Sequence, residues 1–337
     1  MMLNRLLSHP IVQTFAAAAV GMGILICILP QLVPSLSWVV NYAVLLMLFY
    51  LVAGMVFLFM KQPTLTFICF AGCALLCFFL KYSVKNDSIE RWRQTVIKDR
   101  LPPPQEASEV HIKAAHLNVT NSGDASEVLE ALRKTRADLI SIHEVTPDWG
   151  NLLRDSLAAV YPYHHDMVDI GLFGMSIYSH YELSDIDTFY YDEIPNLRGC
   201  VNVGEEGLCF ISVHTEPALN SFALRRLREH LSTVADQVKI AQSPILVMGD
   251  FNAVPWSEEI QVFMDSSGLQ ESRTGFIPFS NGGTSSFFDL PLDHIFFSPR
   301  LHCLNFEVLN NKASRHLGIM GDYQVKPLAN HAKKTAQ

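Results

Sequence analysis

Six dispersed segments set carboxylates, carboxamides or imidazoles where short apolar runs stop. In SPILVMGDFNAVPWS, the run Ile245 to Met248 reads as a buried strand that breaks at Gly249 into a polar tip holding Asp250 and Asn252. Two such groups at one strand end can reach the same phosphate or the water beside it, and Pro255 stiffens the exit loop. Asn118 follows the run Ile112 to Leu117 in HLNVTNS, and Glu144 closes Leu139 to Ile142 in ADLISIHEV. An acid ending a buried strand is costly unless it is paired or binds a cation. His214 ends the strand of ISVHTEP, Asp293 lies in LDHIFFS a few residues after Asp289, and His316 lies in ASRHLGIMGDYQV. Taken singly, each has a plainer reading, since Asn and Asp at strand ends make turns and a lone His is more often structural.

The elements that must position these groups are short apolar runs alternating with helical stretches from Val110 onward, the pattern of a layered α/β domain. Ala125 to Thr135 and Phe222 to Val238 have helical spacing, and Arg225, Arg226 and Arg228 on the latter are expected to be a solvated face. Arg198 to Val203 and Leu208 to Val213 look like paired strands joined around Gly204 to Gly207. A short helix is expected after Trp256, then a looser Gly- and Ser-rich stretch from Ser266 to Ser286. His180, in GMSIYSHYEL, is expected to be surface or structural, and His294 to point away from Asp293 in a regular strand.

The chain of 337 residues is 49% hydrophobic, with the excess in its first 80 or so positions. Three apolar stretches, Ile11 to Val33, Trp38 to Met60 and Leu65 to Leu80, predict membrane helices, the third shorter and marginal. Arg5 and Lys61 favour a cytoplasmic N-terminus, and three crossings then put the C-terminal domain outside; Lys81, Lys85, Arg91 and Arg93 pull the other way. Asn86 to Glu109 reads as a juxtamembrane helix and a linker with Pro102 to Pro104. A net charge of -8 argues against a protein that coats nucleic acid through a basic face, without excluding a nuclease. Outside the apolar region Cys200, Cys209 and Cys303 remain, an odd number that suggests neither a disulfide framework nor a zinc site.

GDFNAVPWS resembles, nearly letter for letter, the signature of the endonuclease/exonuclease/phosphatase (deoxyribonuclease I-like) superfamily, and the other segments follow in the same order. The resemblance covers about residues 110 to 327 and implies a four-layer α/β sandwich, here preceded by a transmembrane helical region. It implies a Mg²⁺ (or Mn²⁺) ion on Glu144 with Asn118 in its shell, a water positioned by Asp250 and Asn252, His316 oriented by Asp293, and His214 as a second catalytic histidine. Arg315 departs from the pattern, standing where relatives carry Asp; a guanidinium cannot ligate a cation, so either Glu144 with Asn118 and waters holds the metal, or Arg315 faces away, or it clamps a phosphate, or the enzyme is weakened or inactive. The organisation expected is residues 1 to 82 in the membrane, 83 to 109 as linker, 110 to 327 as the catalytic domain and 328 to 337 as a disordered tail. The membrane spans make it similar to a membrane-linked bacterial branch with an extracytoplasmic catalytic domain on the inner membrane. The expected activity is hydrolysis of a lipid-linked phosphate, pyrophosphate or phosphodiester, the alternatives being a metal-dependent nuclease and a non-catalytic membrane binding module. The bilayer and a phosphorylated substrate, lipid-linked or nucleic acid, are the expected partners, with no protein partner implied.

Overall fold

The computed structural model describes residues 6–29, 34–83, 111–119, 125–203, 207–275, 290–309 and 318–325. Asp289, Arg315 and His316, the juxtamembrane helix, the Pro102 to Pro104 linker and the tail 328–337 lie outside the described residues.

Three helices are long and apolar enough to cross a membrane: α1 (Pro10–Ile28), the span Trp38–Phe59, which enters through a 3-10 segment (Pro34–Tyr42) and continues as α2 (Ala43–Phe59), and α3 (Pro63–Ser83). The third is longer than its apolar core suggested, because Pro63 opens the helix and Lys81 to Ser83 extend it past Leu80. The first is shorter, since Leu29 precedes Pro30 and a residue before proline is pushed out of helical geometry. α3 packs on both other helices. Gly72 allows this approach, because a Cβ there would stand 2.6 Å from Val20 and 3.0 Å from the Tyr50 ring. At one end of the bundle Ser8 Oγ donates to Gln62 Oε1 at 3.0 Å. At the other end, Cys27, Val40, Ala43, Leu76 and Leu80 share a buried cluster with Val254 and Trp256 of the α/β domain. Trp256 Nε1 donates to Val40 O at 2.7 Å, so the domain is docked on the bundle as well as joined to it by the chain.

The α/β domain contains two six-stranded sheets. The first runs β11-β12-β1-β2-β4-β3, where β1 is His111–Asn118, β2 Leu139–His143, β3 Tyr163–Met167, β4 Met175–Ser179, β11 Leu301–Leu309 and β12 Gly318–Val325. The second runs β5-β6-β7-β8-β10-β9, where β5 is Leu183–Tyr191, β6 Ile194–Val201, β7 Leu208–His214, β8 Ile245–Asp250, β9 Gln270–Glu271 and β10 Asp293–Phe297. Each sheet has one parallel pair at its centre, β1 with β2 and β7 with β8; the other neighbours are antiparallel. A parallel pair needs a crossover, supplied by α4 (Ala125–Thr135) between β1 and β2 and by α6 (Ser221–Ile240) between β7 and β8. Two further helices, α5 (Pro147–Leu157) and α7 (Glu258–Ser267), complete the outer layers, giving the expected four-layer α/β sandwich. The sheets meet over Ile112, Leu139, Ile177, Phe210, Leu246, Met248 and Ile295. With both faces covered, β2, β4, β8 and β10 are buried at every position, which is why Ile245 to Met248 of β8 reads as an unbroken apolar run rather than an alternation.

Side chains start the outer helices where the sequence changes period. Thr146 accepts from Trp149 N at α5, Asn220 from Ala223 N at α6 and Ser257 from Ile260 N at α7, whose far end closes on Gly268 at φ 70°. The three arginines of α6 are not a plain solvated face. Arg226 bonds Glu216 and Asp192, and Arg228 bonds Glu258 and Glu259, so two of them tie α6 to neighbouring elements. The expectation of no disulfide is also corrected: Cys200 and Cys209 face each other in the register of β6 and β7 and are bonded. They are nine positions apart in the chain, and only the hairpin makes them neighbours.

His230 of α6 is buried, with Nε2 2.8 Å from Asn196 Oδ1 and its ring stacked on Tyr191. Burial, helped by His214 and Arg226, lowers its pKa from 6.5 to about 3. The unfolded chain takes up this proton near pH 6.5 and the folded chain only near pH 3, so the group withdraws stability as pH falls through that window, by up to about 1.4 kcal/mol per unit. His230→Leu is expected to narrow the stability difference between pH 7 and pH 5 by about 2 kcal/mol in denaturant titrations of the purified protein; an unchanged difference would show that His230 is already charged in the fold.

Candidate functional site

The parallel pairs dictate where polar groups collect. β1 and β2 run the same way, as do β7 and β8, so Asn118, Glu144, His214 and Asp250 all lie at or just beyond carboxyl ends of central strands. β10 runs antiparallel and starts at that end, putting Asp293 opposite Asp250; His214 pairs with Asp250 on the other side. Four chain segments far apart in sequence thus deliver their last residues to one place.

The distances join them. Asn118 Nδ2 donates to Glu144 Oε1 at 2.7 Å, Glu144 Oε1 lies 4.0 Å from His214 Nε2, and His214 Nε2 lies 3.7 Å from Asp250 Oδ2. Glu144, His214 and Asp250 each offer one ligand atom, all within 4.8 Å of one another. Asn252 stands beside them, its backbone N donating to Asp250 Oδ1 at 2.9 Å and its Nδ2 to Thr215 O at 2.7 Å. Asn118, His214 and Asp250 are almost fully buried, while Glu144 and Asn252 keep partial access to solvent. Two carboxylates and an imidazole so close, within a mostly buried setting, are tolerable only with a cation or proton among them, and the oxygen-rich set suits a divalent ion.

The backbone is bent to make this approach. Glu144 has φ 60° and Asn252 φ 47°, left-handed conformations that Asn accepts and Glu resists, at a cost of about 1–3 kcal/mol. At Gly249, φ is 150° and a Cβ would fall 1.9 Å from Val213 O, so β7 and β8 come together here only because residue 249 has no side chain. Backbone bonds pin the strand ends: Val119 N to His143 O, Val145 N to Gly174 O, Thr215 N to Asp250 O and Phe251 N to Leu292 O.

Below the cluster runs a polar seam absent from the expected site. The His143 ring stacks on His214 with centroids 5.1 Å apart, and His143 Nε2 is 2.8 Å from Ser212 Oγ. Ser212 Oγ is 2.8 Å from Ser141 Oγ, which is 3.3 Å from His116 Nδ1, and His116 Nε2 is 3.3 Å from Asp293 Oδ1. His116, Ser141 and His143 belong to the first sheet and Ser212 and Asp293 to the second, so the seam fastens the sheets together under the site. Asp293, expected to orient His316, lies 3.3 Å from His116 Nε2; His316 itself, with Arg315, lies outside the described residues. A signal for His116 was present, since residues two apart on a strand share a face and His116 precedes Asn118 by two. His294 turns away, as expected, and bonds Glu271 Oε2 and Ala253 O. His180 is also remote, 3.3 Å from Asp138 Oδ1 and stacked on Tyr161.

Carboxylates and an imidazole thus gather around a common centre at the meeting ends of two stacked sheets, a set able to hold a divalent cation. Residues 116–316, more than half of the chain, match the model of the Endonuclease/Exonuclease/phosphatase family, and the protein belongs to that family. A UPF0294 protein of Yersinia enterocolitica is 30% identical over 100 residues, which span 28% of this chain and 35% of that protein. The endonuclease/exonuclease/phosphatase of Beutenbergia cavernae superposes with a TM-score of 0.54 at 17% identity, over 64% of this chain and 72% of that one. Danio rerio TDP2, solved with a single-strand DNA product, gives 0.52 at 15% identity over 63% and 98%. At such identities the structural likeness speaks to the fold.

Replacing Ser212 by Ala removes the hydroxyl that links Ser141 to His143 across the sheets. Ser212→Ala is expected to destabilise the domain by about 1–3 kcal/mol in thermal or denaturant unfolding; a neutral result would mean that the seam does not join the sheets energetically.

Proposed function

We propose that the protein is a membrane-anchored phosphoesterase dependent on Mg²⁺ (or Mn²⁺), acting on a lipid-linked phosphate, pyrophosphate or phosphodiester. The observation that carries this reading is the convergence of Glu144, His214 and Asp250 to within 4.8 Å, beside Asn118 and Asn252, in a chain whose N-terminal helices are long and apolar enough to cross a membrane. Glu144, steadied by Asn118, would be the principal ligand of the ion, which would supply positive charge and Lewis acidity beside the phosphate. Asp250 accepts a proton from the water that attacks phosphorus, and Asn252 directs its amide toward that water or a phosphate oxygen. The bond from phosphorus to the departing ester oxygen breaks as His214 donates a proton to that oxygen. We assign His316, with Asp293 as the residue that the resemblance gives for orienting it, to the developing negative charge, and Arg315, which stands where the pattern has Asp, to a phosphate contact.

The catalytic domain is assigned to the outer face of a bacterial inner membrane. It docks on the end of the bundle formed by Cys27, Val40 and Leu80, whereas Ser8 and Gln62, next to Lys61, form the opposite end. With Lys61 and Arg5 cytoplasmic, the domain lies outside. The Cys200–Cys209 disulfide supports the same side, since such bonds persist in oxidising compartments. A nuclease activity is the second reading, favoured by the fold shared with a protein solved on single-strand DNA and opposed by the net charge of -8.

The purified full-length protein, given Mg²⁺, is to be offered plasmid DNA, a lipid pyrophosphate and bis(4-nitrophenyl) phosphate. Turnover of the lipid and the small diester without DNA cleavage is expected, with loss on chelation and a fall of about 10³-fold or more in kcat for Glu144→Ala and Asp250→Asn. DNA cleavage alone would select the nuclease, and silence on all three the non-catalytic binding module. In intact cells, Cys200 and Cys209 are expected to react with a membrane-impermeant maleimide only after reduction; reaction without a reductant would remove the disulfide, and no reaction after reduction would contradict the outward orientation.

A further inference from the structure

A cleft of about 440 Å³ opens between the membrane bundle and the catalytic domain. One wall is the 3-10 segment at the start of the second span, through Trp38 and Asn41; the other is α6, through Ser221 and Arg225; the floor is Asn252 and Ala253. The backbone N of the same Asn252 donates to Asp250 Oδ1, so the cleft borders the metal-capable cluster through one shared residue.

Its lining carries an unused cation. Of the three arginines of α6, Arg226 is held by Asp192 and Glu216, and Arg228 by Glu258 and Glu259. Glu259, which also lines the cleft, is occupied by Arg228 through two contacts of 3.0 and 2.8 Å. Arg225 is exposed and has no carboxylate partner among the described residues. Apolar groups mark the mouth. Trp38 and Tyr42 are exposed and pack edge to face, 6.0 Å apart, at the end of the span where interfacial aromatic residues are found. Leu219 and Phe222, flanking the Ser221 wall, are 76% and 62% exposed and add two large apolar side chains beside the mouth.

We propose that this cleft is a binding site for the phosphate-bearing head group of a bilayer lipid, with Arg225 contacting the phosphate and Trp38, Leu219 and Phe222 lying at the level where acyl chains begin. The proposal rests on the phosphoesterase reading for its purpose, because the head group is thereby presented to Asn252 and Asp250 from the membrane side. A nucleic acid strand fits the cleft poorly: one free guanidinium does not make the cationic track that a polyanion needs, and one wall is a membrane span. A head group drawn sideways from the bilayer needs a single anion contact and an apolar rim, which are the features present.

The test uses the full-length chain in detergent, with lipid retention read by native mass spectrometry. Dioleoyl phosphatidic acid is the probe, dioleoyl phosphatidylcholine the control and glycerol 3-phosphate the soluble competitor. Selective retention of phosphatidic acid is expected, reduced about tenfold by Arg225→Ala and by the cleft-filling Ala218→Trp, restored in part by Arg225→Lys, and insensitive to glycerol 3-phosphate. Equal retention by wild type and Arg225→Ala, with circular dichroism unchanged, would overturn the proposal, as would full displacement by glycerol 3-phosphate, which would make the site one for free phosphate esters. Hydrolysis of bis(4-nitrophenyl) phosphate with Mg²⁺ in the same preparations separates the two claims. Selective retention without hydrolysis leaves the lipid site standing and removes the phosphoesterase, whereas hydrolysis without selectivity keeps the phosphoesterase and removes the lipid site.

Discussion

The arrangement depends on the two parallel strand pairs, β1 with β2 and β7 with β8, facing each other across the sheet interface. Parallel neighbours end on the same side, and because each pair is tied by its own crossover helix, neither can slip without moving its helix. Asn118, Glu144, His214 and Asp250 then gather because they are the residues at which those strands stop. The apolar interior holds the sheets at a fixed separation, and the seam from Asp293 through His116, Ser141 and Ser212 to His143 keys them to one another next to the cluster. A slab of Leu, Ile and Phe alone would have tolerated small sliding of one sheet over the other; directional hydrogen bonds restrict it.

Local strain falls at the same end. Glu144 and Asn252 occupy left-handed backbone, and Gly249 lets two strands approach to a distance that any side chain would forbid. These departures are supported by fully buried strands on either side, so the irregular residues are held from a regular base.

Much of this was legible in the sequence, and for a physical reason. Strands buried on both faces must be continuous apolar runs, so Ile245 to Met248 and Leu139 to Ile142 stood out, and a polar residue closing such a run had to be at an edge. The order of segments carried the sandwich fold. Pairings made only by tertiary structure were not visible. The bond between Cys200 and Cys209 exists because a hairpin brings them into register, and the contacts of Arg226 and Arg228 exist because α6 lies against carboxylates from other elements. His143 does not stand out in the sequence, because it is next to Glu144 and strand alternation sends neighbours to opposite faces; the left-handed turn at Glu144 breaks that alternation and lets both serve the same region.

On the proposed reading, the contact of Trp256 with Val40 changes the dimension in which the domain meets a lipid substrate. With the apolar helices in a bilayer, as proposed, a domain bonded directly to the head of one of them does not wander into bulk solution; it sweeps a plane at fixed height above the lipid surface. For a molecule resident in that plane, encounter frequency follows molecules per unit area, and dilution of the aqueous phase leaves it untouched. Rates on lipid would therefore scale with mole fraction in the bilayer, and lateral diffusion would replace three-dimensional search.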